Sequence, residues 1–427
     1  MKIYSAGNCA GLIARTFDER AKELAAVKEI LAAVRERGDE AVFAYEEKFD
    51  RTVLTRETFR VTEEEFAAAE RAVEPEFLVS LKKAIDNIYA YHVRVGRRDT
   101  VETKDGRTTG YVVRAVDRAG IYVPGGTAPL SSSVLMGVLP AKAAGVQHIV
   151  VVTPAKEGKV SPYTLAAAKA CGVTEVYKCG GAQAIAAPAY GTESVPKADV
   201  IAGPGNIYVT LAKKEVYGQV GIDMLAGPSE ILIIADATAD PAYVAADVLS
   251  QAEHDVLARA IVVTTDASLA GKIAAEVETQ LKKLPRERIA RSSVENGGGI
   301  IVADTPEQAC DIANAIAPEH LELYVADPAA LLPLIRNAGA VFMGGYTPEP
   351  VGDYFAGPDH ILPTSGSAKF FQVLNEDVFT RKMSVISYTR EALRADGADI
   401  IRLAKSEGLD AHANAVAIRL KDMEENK

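Results

Sequence analysis

The sequence has few cysteines and no long apolar run. It contains four cysteines, none of them in a CxxC pair, and their spacing does not fit a disulfide framework. We therefore expect free thiols in a reducing compartment. The amino terminus lacks the apolar segment of a signal peptide, and no stretch of about 18 apolar residues occurs later. These absences predict a cytoplasmic protein that is neither exported nor membrane-spanning.

The sequence also lacks a basic stripe and any long run of like charges. Its formal net charge is −11, which disfavours binding to nucleic acid or to an anionic membrane. Hydrophobic residues make up 48% of the chain and charged residues 25%, close to the average for globular proteins. At roughly 150 residues per domain, the chain should form two or three domains with a large core. Small-molecule chemistry fits this composition best.

The first part of the chain predicts helices and then strands. From about Asp18 to Val95, segments such as AKELAAVKEILAAVRERG place apolar residues three and four apart, and Gly38 follows that segment as a stop. TTGYVVRAVDRAGIYVP then predicts strands that end in a turn containing Gly125 and Gly126.

Beyond this turn, apolar runs rich in β-branched residues alternate with helical segments. One series contains HIVVVTP, TEVYKC and DVIAG, and a second contains EILIIAD, RAIVVTTD, GGIIVAD, LELYVAD and AVFMGG. Between them we predict helices that begin near Tyr163, Ile207, Pro241 and Ser268. Such alternation is typical of parallel sheets covered on both faces. The simplest interpretation is two α/β units in tandem.

After Thr364 the pattern changes. SAKFFQVLNEDVFTRKMSVISY is followed by two helical segments, DIIRLAKSEGL and AHANAVAIRLKDMEE. This tail of about sixty residues is too short for a large core of its own. We therefore expect it to pack on another domain or on a second subunit.

The segment PAYVAADVLSQAEHDVL predicts a helix with polar residues on its buried face. Val244, Val248, Gln251 and His254 lie four, three and three residues apart, so the two polar residues continue the apolar stripe. An inward Gln and His need partners, because an unpaired buried polar group costs several kcal/mol. Metal ligation would provide them, and so would ordinary hydrogen bonds.

Two further segments place an imidazole near a carboxylate. In APEHLE, Glu319 and His320 precede the strand LELYVAD, where both could accept a proton near neutral pH. A solvated loop pair is the alternative there. GDYFAGPDHILPTSG is rich in turn residues, so we expect an irregular loop to present Asp353 and His360. A loop Asp and a loop His are also common without a function.

The histidines cluster in these segments and in SEGLDAHANAV, which carries Glu407 and His412 at the join of the last two predicted helices. A surface helix start would explain Glu407 equally well. The chain has only six histidines, and four of them lie near Asp or Glu in these segments: His254, His320, His360 and His412. A nitrogen and oxygen ligand set without thiolates suits zinc, manganese or iron. The residues alone predict a metal site and leave its metal open.

Signals for a nucleotide are weaker, because no GxGxxG motif follows a strand. VPGGTAPLSSS, GGAQAIAA and AGPGNIYVT each place glycines between a strand and a helix. Backbone N–H groups can meet a phosphate at that position. Tight turns need glycines as well, so both interpretations stay open.

Taken together and in order, nine segments between about residues 120 and 415 resemble the histidinol dehydrogenase family: IYVPGG, GGAQAIAA, AGPGNIYV, AGPSE, SQAEH, PEHLE, GDY, HILPT and EGLDAHANA. The resemblance implies an NAD-dependent four-electron dehydrogenase of histidine biosynthesis. L-histidinol would be oxidised twice, through L-histidinaldehyde, to L-histidine. The set of motifs is far more specific than any single segment.

The resemblance also implies roles for residues of this chain. One zinc ion per subunit would be held by Gln251, His254, Asp353 and His412. His320 would take the alcohol proton, and Glu319 would activate water on the aldehyde. Substrate contacts would include Ser229, His360 and Glu407 in addition to His320 and the zinc ligands. NAD contacts would fall on Tyr122, Gln183 and Asn206.

The family's architecture implies two incomplete Rossmann-like α/β domains in tandem, with a helical amino-terminal section and a small helical carboxy-terminal segment. The corresponding boundaries are 1–20 for an amino-terminal arm, 21–119 with 232–373 for the first domain, 120–231 for a second, inserted domain and 374–427 for the last segment. That segment would reach the partner's active site in an intertwined homodimer. The monomer would then be inactive.

Three other functions compete with this one. A zinc-dependent dehydrogenase of the same fold could act on another diol or amino alcohol, although EGLDAHANA and HILPT favour histidinol. A metallohydrolase would use the same ligands to activate water without a nucleotide. A non-catalytic binding protein fits least, because every expected ligand and base is present.

Overall fold

The computed structural model describes residues 1–14, 20–125 and 130–425. One compact unit contains Met1–Gly96 and Val116–Phe379, and the other contains Arg97–Ala115 and Thr380–Lys427. Part of the predicted amino-terminal arm and the predicted turn residue Gly126 lie outside the described residues. The domain boundaries that the resemblance implies stay a prediction.

The described ranges contain strands and α-helices in the following order along the chain. The strands are β1 (Ile3–Ser5), β2 (Thr100–Lys104), β3 (Arg107–Ala115), β4 (Arg118–Tyr122), β5 (His148–Thr153), β6 (Glu175–Lys178), β7 (Val200–Ala202), β8 (Gly221–Ile222), β9 (Glu230–Ala235), β10 (Arg259–Thr264), β11 (Gly299–Val302), β12 (His320–Tyr324), β13 (Ala340–Met343) and β14 (Thr380–Tyr388). The helices are α1 (Ala10–Ile13), α2 (Ala21–Arg37), α3 (Asp39–Asp50), α4 (Arg56–Phe59), α5 (Glu63–Ala72), α6 (Pro75–Val95), α7 (Ser131–Ala144), α8 (Pro162–Ala170), α9 (Gly181–Tyr190), α10 (Ile207–Val216), α11 (Pro241–Ala252), α12 (Ala267–Leu281), α13 (Glu287–Asn296), α14 (Pro306–Ile316), α15 (Pro328–Leu331), α16 (Glu349–Tyr354), α17 (Arg390–Ser406) and α18 (Asp410–Glu425).

The helical start of the chain is confirmed. Helix α2 buries Val27, Ile30 and Val34 at the spacing that the sequence predicts, and it ends at Gly38. Gly38 has a φ of +55°, a conformation that favours glycine and stops the helix. Helices α2 and α3 then pack on the core formed by the strands and helices of residues 119–220.

The first unit contains a six-stranded parallel sheet in the order β1-β11-β10-β9-β12-β13. Ile231 and Ile233 of β9 contribute to a core that includes residues of α11 and α12. Their neighbours Leu232 and Ile234 contribute to a different core, which includes residues of α14. Successive side chains therefore enter two cores, and this explains why the strand EILIIA is apolar throughout.

A second parallel sheet of the same unit has the order β6-β5-β4-β7-β8. Strand β4 lies between β5 and β7, so the chain leaves it first in one direction and later in the other. The carboxyl ends of strands on either side of such a reversal border a crevice where α/β proteins bind ligands. The two parallel sheets confirm the predicted tandem α/β fold.

The second unit contains an antiparallel sheet in the order β14-β3-β2 and the helices α17 and α18. All nine residues of β14 pair with β3, from Thr380 opposite Ala115 to Tyr388 opposite Arg107. Arg107 also forms an ion pair with Asp396 of α17, with 2.6 Å between Nη2 and Oδ1. The carboxy-terminal segment thus shares its fold with residues 97–115.

The absences noted in the sequence have structural counterparts. In the described ranges, no helix combines the length and the apolar character needed to cross a membrane. The four cysteines are buried and carry free thiols, as predicted.

Candidate active site

Helix α11 carries the first candidate ligand, Gln251. Asp240 caps the helix through the N–H of Ala242, and Val244 and Val248 are fully buried on its inner face. Gln251 continues this face and is 1% exposed, as the spacing predicts. Its Oε1 is buried without a hydrogen-bond partner among the described residues. A buried acceptor of this kind calls for a ligand.

His254 departs from the prediction. Helix α11 ends at Ala252, where the N–H of Glu253 bonds to the carbonyl oxygens of Leu249 and Gln251. His254 lies in the turn that follows, with its side chain exposed, so the prediction that it continues the inward stripe is wrong. The surrounding protein lowers the pKa of His254, and Asp353 acts on it in the opposite direction. Its ring therefore lies within electrostatic reach of Asp353.

Glu319 and His320 are both buried, 7% and 3% exposed, so the alternative of a solvated loop pair is wrong. Strand β12 lies beside β9 with His320 opposite Ile231, which brings the pair next to the backbone of Glu230. The N–H of Glu230 donates to Glu319 Oε2 at 2.8 Å, and the carbonyl oxygen of Glu230 lies 3.0 Å from His320 Nδ1. One residue of β9 therefore fixes both side chains.

The contact with Glu230 also determines the protonation of His320. A carbonyl oxygen only accepts hydrogen bonds, so Nδ1 must carry the hydrogen. In the neutral ring Nε2 is then the free base. Nε2 is buried without a hydrogen-bond partner among the described residues, and it lies 3.7 Å from Asp353 Oδ1. The geometry leaves the nitrogen that can accept a proton available to a ligand.

Asp353 and His360 lie on one segment, but not entirely on the irregular loop that the sequence predicts. Asp353 belongs to the short helix α16, and His360 follows beyond its end. Nδ1 of His360 lies 3.1 Å from the carbonyl oxygen of Asp353 and 4.0 Å from its Oδ1. This contact orients the His360 ring and leaves its other nitrogen for a ligand.

Glu349 is a site residue that the sequence analysis missed. One ligand atom each from His320, Glu349 and Asp353 lies within 4.8 Å of the other two. Glu349 is 2% exposed and accepts a hydrogen bond of 3.0 Å from Ser250 Oγ. It precedes Asp353 by four residues, the spacing that places two side chains on one helix face. The short segment PEPVGDY gave no helical signal from which to infer this.

The electrostatics of the site follow from burial and close carboxylates. Burial raises the pKa of Glu319 to about 7, and His320 offsets part of the rise. Burial lowers the pKa of His320, but Glu319 and Asp353 outweigh it and raise the pKa to about 10. Burial acts to raise the pKa of Asp353, yet His320 and His360 hold it well below its usual range. Negative charge is thus concentrated around one imidazole, which favours a cation.

The remaining substrate candidates lie in different places. Ser229 directly precedes Glu230, and its carbonyl oxygen accepts from the N–H of Arg259 at 3.0 Å. A cavity of about 580 Å³ is lined by its neighbours Pro228 and Glu230. Glu407 and His412 belong to the second unit, where both are exposed, Glu407 after the end of α17 and His412 in the first turn of α18.

The three candidate NAD residues follow strands of the five-stranded sheet. Tyr122 ends β4, Gln183 lies in the helix after β6, and Asn206 precedes the helix after β7. All three therefore lie near the carboxyl ends of strands, the edge at which α/β proteins bind nucleotides. Asn206 also has a structural role, because its Oδ1 caps α10 by accepting from Tyr208 and Val209 N–H at 3.0 and 3.2 Å.

Comparison with known proteins agrees with this arrangement. The family model for histidinol dehydrogenase matches residues 14–420. The histidinol dehydrogenase of Bacillus cereus is 52% identical over 399 residues, 93% of this chain and 92% of the relative. That of Heliobacterium mobile is 51% identical over 397 residues, 92% of this chain and 93% of the relative. The crystal structure of histidinol dehydrogenase from Elizabethkingia anophelis has a TM-score of 0.96 and 38% identity, and it covers 99% of both chains. The chain belongs to the histidinol dehydrogenase family and is an oxidoreductase.

Proposed function

We propose that the protein oxidises L-histidinol to L-histidine, the last step of histidine biosynthesis, in two NAD-dependent steps through L-histidinaldehyde. The observation that carries the proposal is the pair Glu319 and His320, fixed by the backbone of Glu230 with His320 Nε2 available. The buried base sits beside Asp353, a residue suited to hold a metal.

A zinc ion fits the residues of this region. Gln251 Oε1 is a buried oxygen without a partner in the described chain, and Asp353 has a strongly lowered pKa and therefore stays ionised. We propose that Gln251, His254, Asp353 and His412 hold the ion, a nitrogen and oxygen set that zinc accepts. When bound, zinc would orient the imidazole and amino nitrogens of the substrate and add positive charge that lowers the pKa of His320.

The chain's own residues then move the protons. His320 Nε2 accepts the hydroxyl proton of L-histidinol, while the hydrogen bond from Nδ1 to the Glu230 carbonyl stabilises the charged ring. In the second oxidation Glu319, together with His320, removes a proton from the water that adds to the aldehyde. A pKa raised to about 7 suits Glu319 to accept and release protons near neutral pH.

Substrate and cofactor contacts complete the proposal. Ser229, His360 and Glu407 contact the substrate, and Tyr122, Gln183 and Asn206 contact NAD, which supplies the hydride acceptor for both oxidations. Support for the NAD contacts is their shared position beyond the carboxyl ends of β4, β6 and β7.

We also propose that the enzyme works as a cytoplasmic homodimer, in which Glu407 and His412 act in the neighbour's active site. Leu403, Leu409 and Ile418, on or between α17 and α18, expose 68%, 41% and 59% of their surface. Apolar surface of this kind favours a partner. Mixing two inactive homodimers, His412→Asn and Glu319→Gln, tests the shared site, since subunit exchange should restore part of the activity. Without shared sites, mixing would restore none.

The decisive experiment measures the NADH formed per L-histidinol consumed to completion, with excess NAD and zinc-loaded protein. Two NADH per substrate are expected. One NADH would indicate a simpler alcohol dehydrogenase of related fold. No NADH would favour a metallohydrolase that activates water with the same ligands.

A further inference from the structure

Glu46 is a buried carboxyl group in the helical section for which the sequence suggested no part in the reaction. It lies on α3 and is fully buried. Its Oε1 accepts two hydrogen bonds, from the N–H of Gly180 at 2.9 Å and from Nε2 of Gln183 at 2.8 Å. The helix α3 thereby reaches the start of α9, where one of the proposed NAD contacts is located.

Gln183 and Tyr122, two of the proposed NAD contacts, are tied to the same turn. Gly181 adopts a φ of +60°, and a Cβ there would lie 3.1 Å from Gln183 Oε1, so the Gln183 side chain folds back over the turn. The N–H of Gly181 also hydrogen-bonds to the Tyr122 side chain. Glu46 anchors this turn through Gly180.

A carboxyl group in this place costs stability, and its surroundings suggest what it provides. Burial raises the pKa of Glu46, and so does the charge of Asp50 one turn further along α3. Oε2 of Glu46 is buried without a hydrogen-bond partner among the described residues. In the protonated group this oxygen carries the hydrogen, while Oε1 stays an acceptor for Gly180 and Gln183. An apolar side chain would fill the space but would accept neither bond.

We propose that Glu46 is a positioning residue for NAD, which acts by fixing the amide group of Gln183. Because Nε2 donates to Glu46, Oε1 of Gln183 is presented as an acceptor for an O–H or N–H of the dinucleotide. Without Glu46 the amide can turn over and present donors instead. This inference rests on the proposed NAD contact of Gln183.

The test compares Glu46→Leu, which keeps much of the volume and removes the acceptor, with Glu46→Gln, which keeps an acceptor oxygen. Glu46→Leu should raise KM for NAD about tenfold, a factor typical of one lost hydrogen bond. KM for L-histidinol and kcat should change less than about threefold, and Glu46→Gln should restore KM for NAD to near the wild-type value. Glu47→Ala, an exposed position on the same helix, is the matched control.

The variants Gln183→Ala and Glu46→Leu/Gln183→Ala separate positioning from general support of the fold. If Glu46 acts through Gln183, the double variant should have the same KM for NAD as Gln183→Ala alone. Additive increases would overturn the proposal. A raised KM in Gln183→Ala with an unchanged KM in Glu46→Leu would overturn it and leave the NAD contact standing.

Two further outcomes keep the proposal distinct from the proposed function. Unchanged KM for NAD in both single variants of an active enzyme would refute the NAD contact at Gln183, and the role of Glu46 with it. If Glu46→Leu does not fold, Gln183→Glu tests the same contact, because it keeps an acceptor oxygen and removes the donor to Glu46. An unchanged KM for NAD in that variant would overturn the proposal.

Discussion

Replacing His320 by asparagine tests the proposed base most directly. Nε2 of His320 is buried and available, whereas the shorter asparagine side chain has no basic nitrogen. A positioned base contributes typically 10²- to 10⁴-fold, which corresponds to about 2.7–5.4 kcal/mol of activation free energy. Both oxidations should slow by a factor in this range, because the same nitrogen takes a proton in each.

The effect of His320→Asn on stability should be smaller than its effect on rate. The variant loses the hydrogen bond from Nδ1 to the Glu230 carbonyl, and one such bond contributes about 0.5–1.5 kcal/mol. The packing of β12 against β9 is otherwise unchanged, since four further residue pairs of the two strands remain in register. A loss of rate far beyond this free energy would therefore report on chemistry.

The assay follows NADH formation separately from L-histidinol and from L-histidinaldehyde, with the free energy of unfolding measured on the same preparations. His148→Asn, at an exposed position at the start of β5, is the control and should match the wild type. Rates within about threefold of the wild type in either oxidation would refute the assignment of His320 as the base for that step.

Three other substitutions give equally specific expectations. Glu319→Gln keeps an oxygen that can accept from the N–H of Glu230 but loses the base, so aldehyde oxidation should fall far more than alcohol oxidation; equal losses would contradict the division of roles. His254→Asn should lower the zinc content measured by elemental analysis, and an unchanged content would exclude a ligand role. Lys213→Met leaves the carboxylate of Asp223 buried without its cation, which should lower the free energy of unfolding by about 3–5 kcal/mol in urea titrations at fixed protein concentration. A loss below about 1 kcal/mol would show that this pair is not a major source of stability.

The sequence predicts local structure well where periodicity specifies it. The spacing of Val244, Val248 and Gln251 correctly predicts a buried helix face, and the apolar runs correctly predict the strands of both parallel sheets. The same spacing fails at His254, because the helix ends two residues earlier and periodicity alone does not locate that end.

Long-range contacts could not be predicted in this way. Glu349 meets His320 only because α16 follows the strand next to β12, and the two residues share no local pattern. Glu46 and Gln183 are 137 residues apart, and each segment alone indicates an ordinary helix. Periodicity identifies the buried face of an element but does not identify the element that covers it.

The pairing of β14 with β3 has a consequence for biosynthesis. Strand β3 is made early in translation and β14 near its end, with most of the chain between them. The hairpin of β2 and β3 can form as soon as it leaves the ribosome, but its third strand arrives only after both parallel sheets have been synthesised. A nascent chain therefore exposes the open edge of β3 for most of its synthesis, and a chain released before Thr380 never covers it.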